Sequence, residues 1–293
     1  MIIVTGATGQ LGRDVVERLL ARVPADRIGV SVRNPEKADA LRARGVRVRR
    51  GDFTDSASLA HAFEGVEQLL LVSTDTIGAP AVSAHRAAID AAVAAGARRV
   101  VYTSHMGVNP DSPFVPMPDH AATEQALQES GIAFTSLRNG FYAASAVMML
   151  GNALETGRLV APEDGPVSWT AHADLAEAAA IVLADAGRFE GPTPALTGER
   201  ALDLADVAAL ASRLTGRRIE RVVVGDEEFR DALVAQGAPE HQADLLLGLH
   251  RASRKGEFAA VDPTLGSLLG HAPTPLEDVL RAAVGQEEAP PVR

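Results

Sequence analysis

The 293-residue chain is long enough for two domains of roughly 150 residues, or for one large α/β domain with an appended lobe. Its formal net charge of −10, from 28 Lys plus Arg against 38 Asp plus Glu, comes with no basic tract on any segment, which argues against nucleic acid as a partner. The absence of cysteine excludes disulfides, thiolate metal sites, iron–sulfur clusters and thiol nucleophiles, so no metal is expected and the chemistry must come from a bound cofactor or from oxygen and nitrogen groups. No apolar run approaches the roughly 18 residues of a membrane span, and no basic leader precedes Ile2. A cytoplasmic protein without membrane contact, monomeric or homodimeric, is the expectation.

Ile2, Ile3 and Val4 form a β-branched run suited to a buried parallel strand, and the chain then passes Gly6, Gly9 and Gly12 before apolar residues recur at helical spacing. A strand that enters a glycine turn and leaves as a helix is the context for dinucleotide binding. In that reading Gly6 permits the tight turn, Gly9 lets a pyrophosphate approach the backbone, and Gly12 lets the helix pack on the sheet. The helix N-terminus offers amides and the positive dipole end to the phosphates, and Thr8 and Gln10 can add side-chain hydrogen bonds. The spacing is G-x-x-G-x-x-G rather than the G-x-G-x-x-G of many dehydrogenases, and a plain tight turn is the alternative.

Pro24 ends the first helix, and a second strand over 27–33 leads to Asn34-Pro35. At the end of this strand an acid would bind the ribose 2′-hydroxyl of NAD. Arg33 stands there instead, where a guanidinium can pair with the 2′-phosphate of NADP; a solvated surface charge is the alternative. Residues 46–50 form a third strand, after which Asp52 can accept from the adenine amino group while Phe53 lines the ring. Helix capping is the other use of such an acid, and Asp55 or Ser56 fills it better.

Residues 66–72 form a fourth strand, with Ser73 and Thr74 where the sheet faces the cofactor. An Ala-rich helix over 81–95 is stopped by Gly96, and a fifth strand over 99–103 ends at Ser104. Strands alternating with helices predict a Rossmann-type, doubly wound parallel sheet. Residues 105–119, with four prolines, read as a loop over the carboxyl edge of the sheet. A helix over 119–130 and a sixth strand over 132–137 follow, then Arg138-Asn139-Gly140-Phe141-Tyr142.

The methionines beyond the initiator, Met106, Met117, Met148 and Met149, lie among Phe114, Phe141 and Tyr142. Soft and aromatic side chains suit a pocket for flat apolar molecules, with Met106, Phe114, Met117, Phe141 and Tyr142 as substrate contacts; core filling by Met148 and Met149 is the alternative. Residues 1–150 are expected to form the NADP-binding domain and 151–284 a smaller α/β lobe covering the substrate, with interleaving allowed. Residues 285–293 read as a flexible tail.

T-G-A-T-G-Q-L-G at 5–12, V-R-N-P at 32–35, L-L-L-V-S at 69–73 and L-R-N-G-F-Y at 137–142, with R-L-T-G and L-L-G-H later, resemble the NmrA-like atypical short-chain dehydrogenases. Within that group they look closest to the type-2 NAD(P)H:quinone oxidoreductases. The resemblance implies NADPH held by Gly6, Thr8, Gly9, Gln10, Leu11, Gly12 and Arg33, with Asp52 and Phe53 near adenine. It implies Ser73, Ser104, Asn139, Gly140 and Phe141 around the nicotinamide and substrate. Main-line members carry Y-x-x-x-K where this chain has P-x-x-x-H, with Pro116 and His120.

That departure bears on the acceptor. Reducing a ketone makes an alkoxide with basicity near that of hydroxide, at roughly 15.7. Reducing a quinone makes a phenolate-like anion of pKa roughly 10, and the gap amounts to about 8 kcal/mol of proton demand. A quinone therefore needs little acid, with water or His120 as proton source and Asn139 or a backbone amide at the oxyanion. The expected function is NADPH-dependent reduction of a quinone or similar conjugated electrophile. The alternatives are reduction of a triphenylmethane-type cation, of a specialised ketone or imine, or non-catalytic sensing of NADP(H).

Overall fold

Ile2–Thr5 (β1) buries all four side chains, as a strand covered on both faces must. In this computed structural model, which describes residues 1–287, β1 runs into α1 (Gln10–Leu20), β2 (Ile28–Val32), α2 (Asp39–Ala43), β3 (Arg47–Arg50) and α3 (Ser56–Ala62). The alternation continues through β4 (Gln68–Leu71), α4 (Ala79–Ala94), β5 (Arg99–His105), α5 (Pro116–Ser130) and β6 (Ala133–Asn139). Next come β7 (Phe141–Tyr142), α6 (Ala143–Leu150), α7 (Ala153–Thr156), β8 (Arg158–Pro162), β9 (Trp169–Thr170), α8 (His172–Ala184) and β10 (Gly191–Pro192). The chain closes with α9 (Leu204–Thr215), β11 (Glu220–Val224), α10 (Asp226–Ala235), α11 (Glu240–Arg254), α12 (Thr264–Leu269) and α13 (Leu276–Glu287).

Seven strands pair in parallel in the order β10-β6-β5-β4-β1-β2-β3. The chain winds outward from β1 to β3, then returns to β4 on the other side of β1. The sheet therefore has its topological switch between β1 and β4, where ligands of doubly wound folds bind outside the carboxyl ends of the strands. Asp55 caps α3 by accepting from the Ser58 amide, as expected, and Gly96 closes α4 at φ +77°.

Three of the boundaries that differ from expectation change how the chain is read. Helix α5 begins at Pro116 rather than at 119, because its prolines lie in the first turn, where the amides have no intrahelical acceptor to lose. Strand β5 runs on to His105, which shortens the proline-bearing loop at both ends. Helix α13 runs to Glu287, so a tail beginning at 285 is not observed; residues 288–293 lie outside the described residues.

The chain divides into two compact units and passes between them more than once. The first comprises Met1–Pro110, Pro116–Asn139 and His172–Leu196, so helix α8, well beyond residue 150, belongs with the sheet. The second comprises Asp111–Val115, Gly140–Ala171 and the chain from Thr197 onward. Its two small sheets pair β8 with β11 and β7 with β9. Its centre is aromatic: Phe141 packs on Phe258 at 5.1 Å and on Trp169 at 5.5 Å, and Trp169 Nε1 donates to the Leu202 carbonyl at 2.9 Å. No helix among the described residues is long and apolar enough to cross a membrane.

Candidate functional site

The turn after β1 separates what the fold needs from what it leaves open. Gly6 sits at φ +62°, the left-handed region that disfavours a side chain, and its carbonyl accepts from the Gly9 amide at 2.9 Å. A Cβ on Gly12 would lie 2.3 Å from the Gly6 carbonyl oxygen, so Gly12 is required by helix-on-turn packing. Gly9 is different: its φ is −81°, and an added Cβ would meet only the Gly6 oxygen at 3.3 Å. The protein's own packing constrains this position far less than Gly12. Gly9 is also the N-cap of α1, which has no side-chain cap and no acid in its first turn. The first amides are thus left for an external acceptor, as an anion site at a helix N-terminus requires.

A cleft of about 440 Å³ opens at this turn, bringing together eight of the expected residues: Gly6, Thr8, Gly9, Arg33, Asp52, Phe53, Ser73 and Thr74. Arg33 is exposed and makes no hydrogen bond or ion pair among the described residues. The Asp52 carboxylate accepts from the Thr54 amide at 3.0 Å and hydroxyl at 2.8 Å, and these bonds hold it below the usual carboxylate range. Ser31, which sequence reading missed, lines the same cleft with a buried hydroxyl that has no partner. A Cβ on Gly51 would fall 2.0 Å from that oxygen. An uncapped helix start, a bare Gly9, an orphaned Ser31 hydroxyl and an unpaired guanidinium together fit an elongated polyanion with a sugar, such as a phosphorylated dinucleotide.

Six of the expected cofactor residues do not line this cleft. Gln10 is exposed at the first position of α1, whereas Leu11 is only 6% exposed in the core and Gly12 is a packing position, so the latter two can contribute only backbone amides. Asn139 ends β6, 2% exposed, with its Oδ1 lacking a partner. Gly140 and Phe141 belong to the second unit.

The expected acid–base groups are engaged elsewhere. Ser104 Oγ donates to Glu124 Oε1 at 2.7 Å, and the buried Glu124 is held by Arg138 Nη2 at 2.8 Å. A serine has one hydroxyl hydrogen, so Ser104 has none left for a substrate oxyanion. His120 Nδ1 shares a 2.7 Å hydrogen bond with the buried Tyr102 hydroxyl, and burial, reinforced by His105 and His85, pushes its pKa well below the ordinary histidine value. It is a neutral imidazole at physiological pH. His85 was not anticipated: its Nε2 accepts from the Thr74 amide at 3.1 Å, and its Nδ1 lies 2.9 Å from Thr123 Oγ1. Since Thr123 gives its own hydrogen to the Asp119 carbonyl at 2.8 Å, His85 is the donor and the neutral Nδ1–H tautomer is fixed. The recurrence of His120, Thr123 and Glu124 at i, i+3 and i+4 was the available sequence signal for this polar face of α5.

The second unit contains a cavity of about 880 Å³ lined by Phe114 and Phe141, two of the five residues expected to contact substrate, and by Met148 and Met149. Tyr142 is not part of its lining. Met106 and Met117 belong to the first unit; the Met106 amide donates to the Asn139 carbonyl at 2.8 Å, and Met117, 1% exposed, is core because α5 begins before it.

Comparison with known proteins follows the same lines. The NmrA-like family matches residues 1–280. Quinone oxidoreductase 2 of Escherichia coli strain K12 is 40% identical over 279 residues, covering 95% of this chain and 96% of the relative. The crystal structure of an E. coli NADPH-dependent quinone oxidoreductase complexed with NADPH superposes with a TM-score of 0.92 at 38% identity, covering 97% of this chain and 100% of that one. Triphenylmethane reductase of Citrobacter sp., complexed with NADP(H), gives 0.88 at 34% identity, with 97% and 100% covered.

Proposed function

This chain belongs to the NmrA-like family, and from that premise we propose that it is an NADPH-dependent oxidoreductase whose acceptor is a quinone or a similarly conjugated electrophile. The observation that carries the cofactor is the free guanidinium of Arg33 in the same cleft as the uncapped start of α1. The first amides of α1 and the bare backbone at Gly9 would hold the pyrophosphate, and Arg33 the 2′-phosphate. Asp52 Oδ2 and Phe53 suit the adenine. The Ser31 hydroxyl suits a ribose, and the orphaned Asn139 Oδ1 suits a donor such as the nicotinamide carboxamide.

When bound, NADPH supplies hydride. What this chain's residues supply is position, since the proton donors expected from the sequence are committed: Ser104 to Glu124, and His120, uncharged, to Tyr102. Lack of a strong acid favours acceptors whose reduced form is a weak base, which supports quinones over simple ketones. A triphenylmethane-type cation, which needs no proton at all, fits the same argument.

The test is NADPH consumption with a quinone, a triphenylmethane dye and an unactivated ketone, each repeated with NADH. Fast quinone or dye turnover with NADPH is the expected result. Turnover confined to the ketone, or dinucleotide binding without turnover of any acceptor, would sink the reading.

A further inference from the structure

Every residue that lines the cavity of about 880 Å³ belongs to the second unit, and its volume lies in the range of small-molecule sites, roughly 300 to 1,000 Å³. Its floor is apolar and buried, formed by Phe141, Leu159, Leu204 and Leu249. His250 adds no charge to it. The imidazole packs edge-on against Phe229 at 5.3 Å, and burial lowers its pKa to about 4, so it is neutral at physiological pH. The mouth is mixed: Met148 and Val160 are exposed in it, and so are Arg158, Asn152, Gln236 and Gln242. Arg158 is thus the only charged side chain that lines the cavity among the described residues. Glu220 stands opposite it in the register of β8 and β11, yet no ion pair joins the two and Glu220 does not line the cavity. The Asn152 side chain, at the N-cap of α7, makes no capping hydrogen bond. An apolar interior whose opening carries one unpaired cation and an amide suits a molecule with a hydrocarbon body and a single anionic end.

We propose that this cavity is a binding site for a medium-chain carboxylate, with the hydrocarbon chain among the apolar residues and the carboxylate on Arg158 and Asn152 at the mouth. The site lies wholly in the second unit and stands or falls independently of the acceptor assigned above. Each methylene that leaves water for the cavity should tighten binding by up to about fourfold, whereas an exposed ion pair contributes at most about fivefold in all. The chain therefore supplies affinity, and Arg158 supplies the preference for an anion.

The experiment titrates the full chain with decanoate, decanol and decyltrimethylammonium, in wild type, Arg158→Gln and Leu246→Gln. Trp169, the only tryptophan, packs 5.5 Å from Phe141 and reports occupancy by its emission. Arg158 is exposed, so its substitution spares folding, and Leu246 is a half-buried part of the lining. Wild type should bind decanoate saturably and more tightly than the decyl cation. Arg158→Gln should weaken decanoate about fivefold and leave decanol nearly unchanged, which loss of a head-group contact alone explains. Leu246→Gln should weaken both, because it acts on the chain they share. No saturable response to decanoate overturns the site, and so does a decyl cation bound as tightly as decanoate. Equal effects of Arg158→Gln on decanoate and decanol remove the carboxylate contact and with it the proposal. A decanoate affinity untouched by Leu246→Gln places the chain outside the cavity and overturns it as well.

Discussion

The cleft of the first unit, which we propose holds the dinucleotide, and the cavity of the second are built from different material. The cleft is backbone, hydroxyls and a few charges, gathered at strand ends that the sheet order brings side by side. The cavity is side chains from Phe114 to His250, with no local motif among them. A backbone site fails when a single atom is added where a ligand must approach. A side-chain site fails when its packing is removed, and it tolerates change at its rim.

The largest expected effect lies in the second unit. Phe258 is fully buried and touches both Phe114 and Phe141, so Phe258→Ala should cost about 3 to 5 kcal/mol of stability. Urea unfolding measures it, and a loss under about 1 kcal/mol would show that the aromatic centre does not hold the unit together.

In the cleft the counterpart is Gly9→Val. The new Cβ would press on the Gly6 carbonyl oxygen at 3.3 Å, a contact that a small shift relieves, whereas a pyrophosphate on the helix start has no such give, so NADPH binding should fall more than 100-fold, roughly 3 kcal/mol, with a much smaller loss of stability than Gly12→Val causes. Retained affinity in the folded variant would reduce the turn to plain geometry. Gly12→Val should show the reverse order, with the fold failing before binding can be asked about.

Beneath the cleft, His85 anchors the Thr74 amide as a neutral imidazole, with burial lowering its pKa to about 4. The unfolded chain takes up the proton near 6.5 and the folded chain does not, so this contribution is complete above pH 6.5 and is lost as pH falls toward about 4. It amounts to roughly 3 kcal/mol over that window. His85→Gln should be less stable than wild type at neutral pH and lose less on acidification. Parallel loss in both proteins from pH 7 to pH 5 would exclude His85 as a source of acid lability.

What the sequence disclosed follows the same division. The glycine turn, the alternation of strand and helix and the position of Arg33 are local or separated by one βα unit, so spacing alone exposes them. Ser104 was expected to face substrate, yet its partner Glu124 lies a helix away and Arg138 a strand beyond, and only the fold joins them. Met117 was expected in the pocket because Pro116 and Pro118 disguised the first turn of α5 as loop. The cavity was half legible: aromatic and methionine enrichment pointed to Phe114 and Phe141 and left Met148 and Met149 between pocket and core, while α10 and α11, which complete it, carry no signal of their own.

Arg33→Ala should weaken NADPH binding by about 1.5 to 3 kcal/mol and leave NADH nearly unchanged, because the charge-assisted contact exists only with the 2′-phosphate. Arg33 is exposed and its one interaction in the protein is the charge of Asp52, whose carboxylate Thr54 also holds, so stability should move little. Equal weakening of both cofactors by titration would mean that Arg33 supports the shape of the cleft instead of reading the phosphate.

The smallest effect is expected at His120. To act as general acid it must be imidazolium near neutral pH, and its burial beside His105 and Tyr102 opposes that charge. His120→Ala should therefore lower kcat with a quinone by no more than about threefold, under 1 kcal/mol, and leave the pH profile of the rate flat between pH 6 and 8. Asn139→Ala should cost more, because it removes a buried amide whose oxygen has no partner inside the protein and is therefore free for a ligand. The measurement is kcat and kcat/KM for both variants across that pH range. A wild-type rate that falls with rising pH about a midpoint near 6.5 and loses this dependence in His120→Ala would make His120 the proton donor, its charge sustained by the bound ligands against the cost of burial.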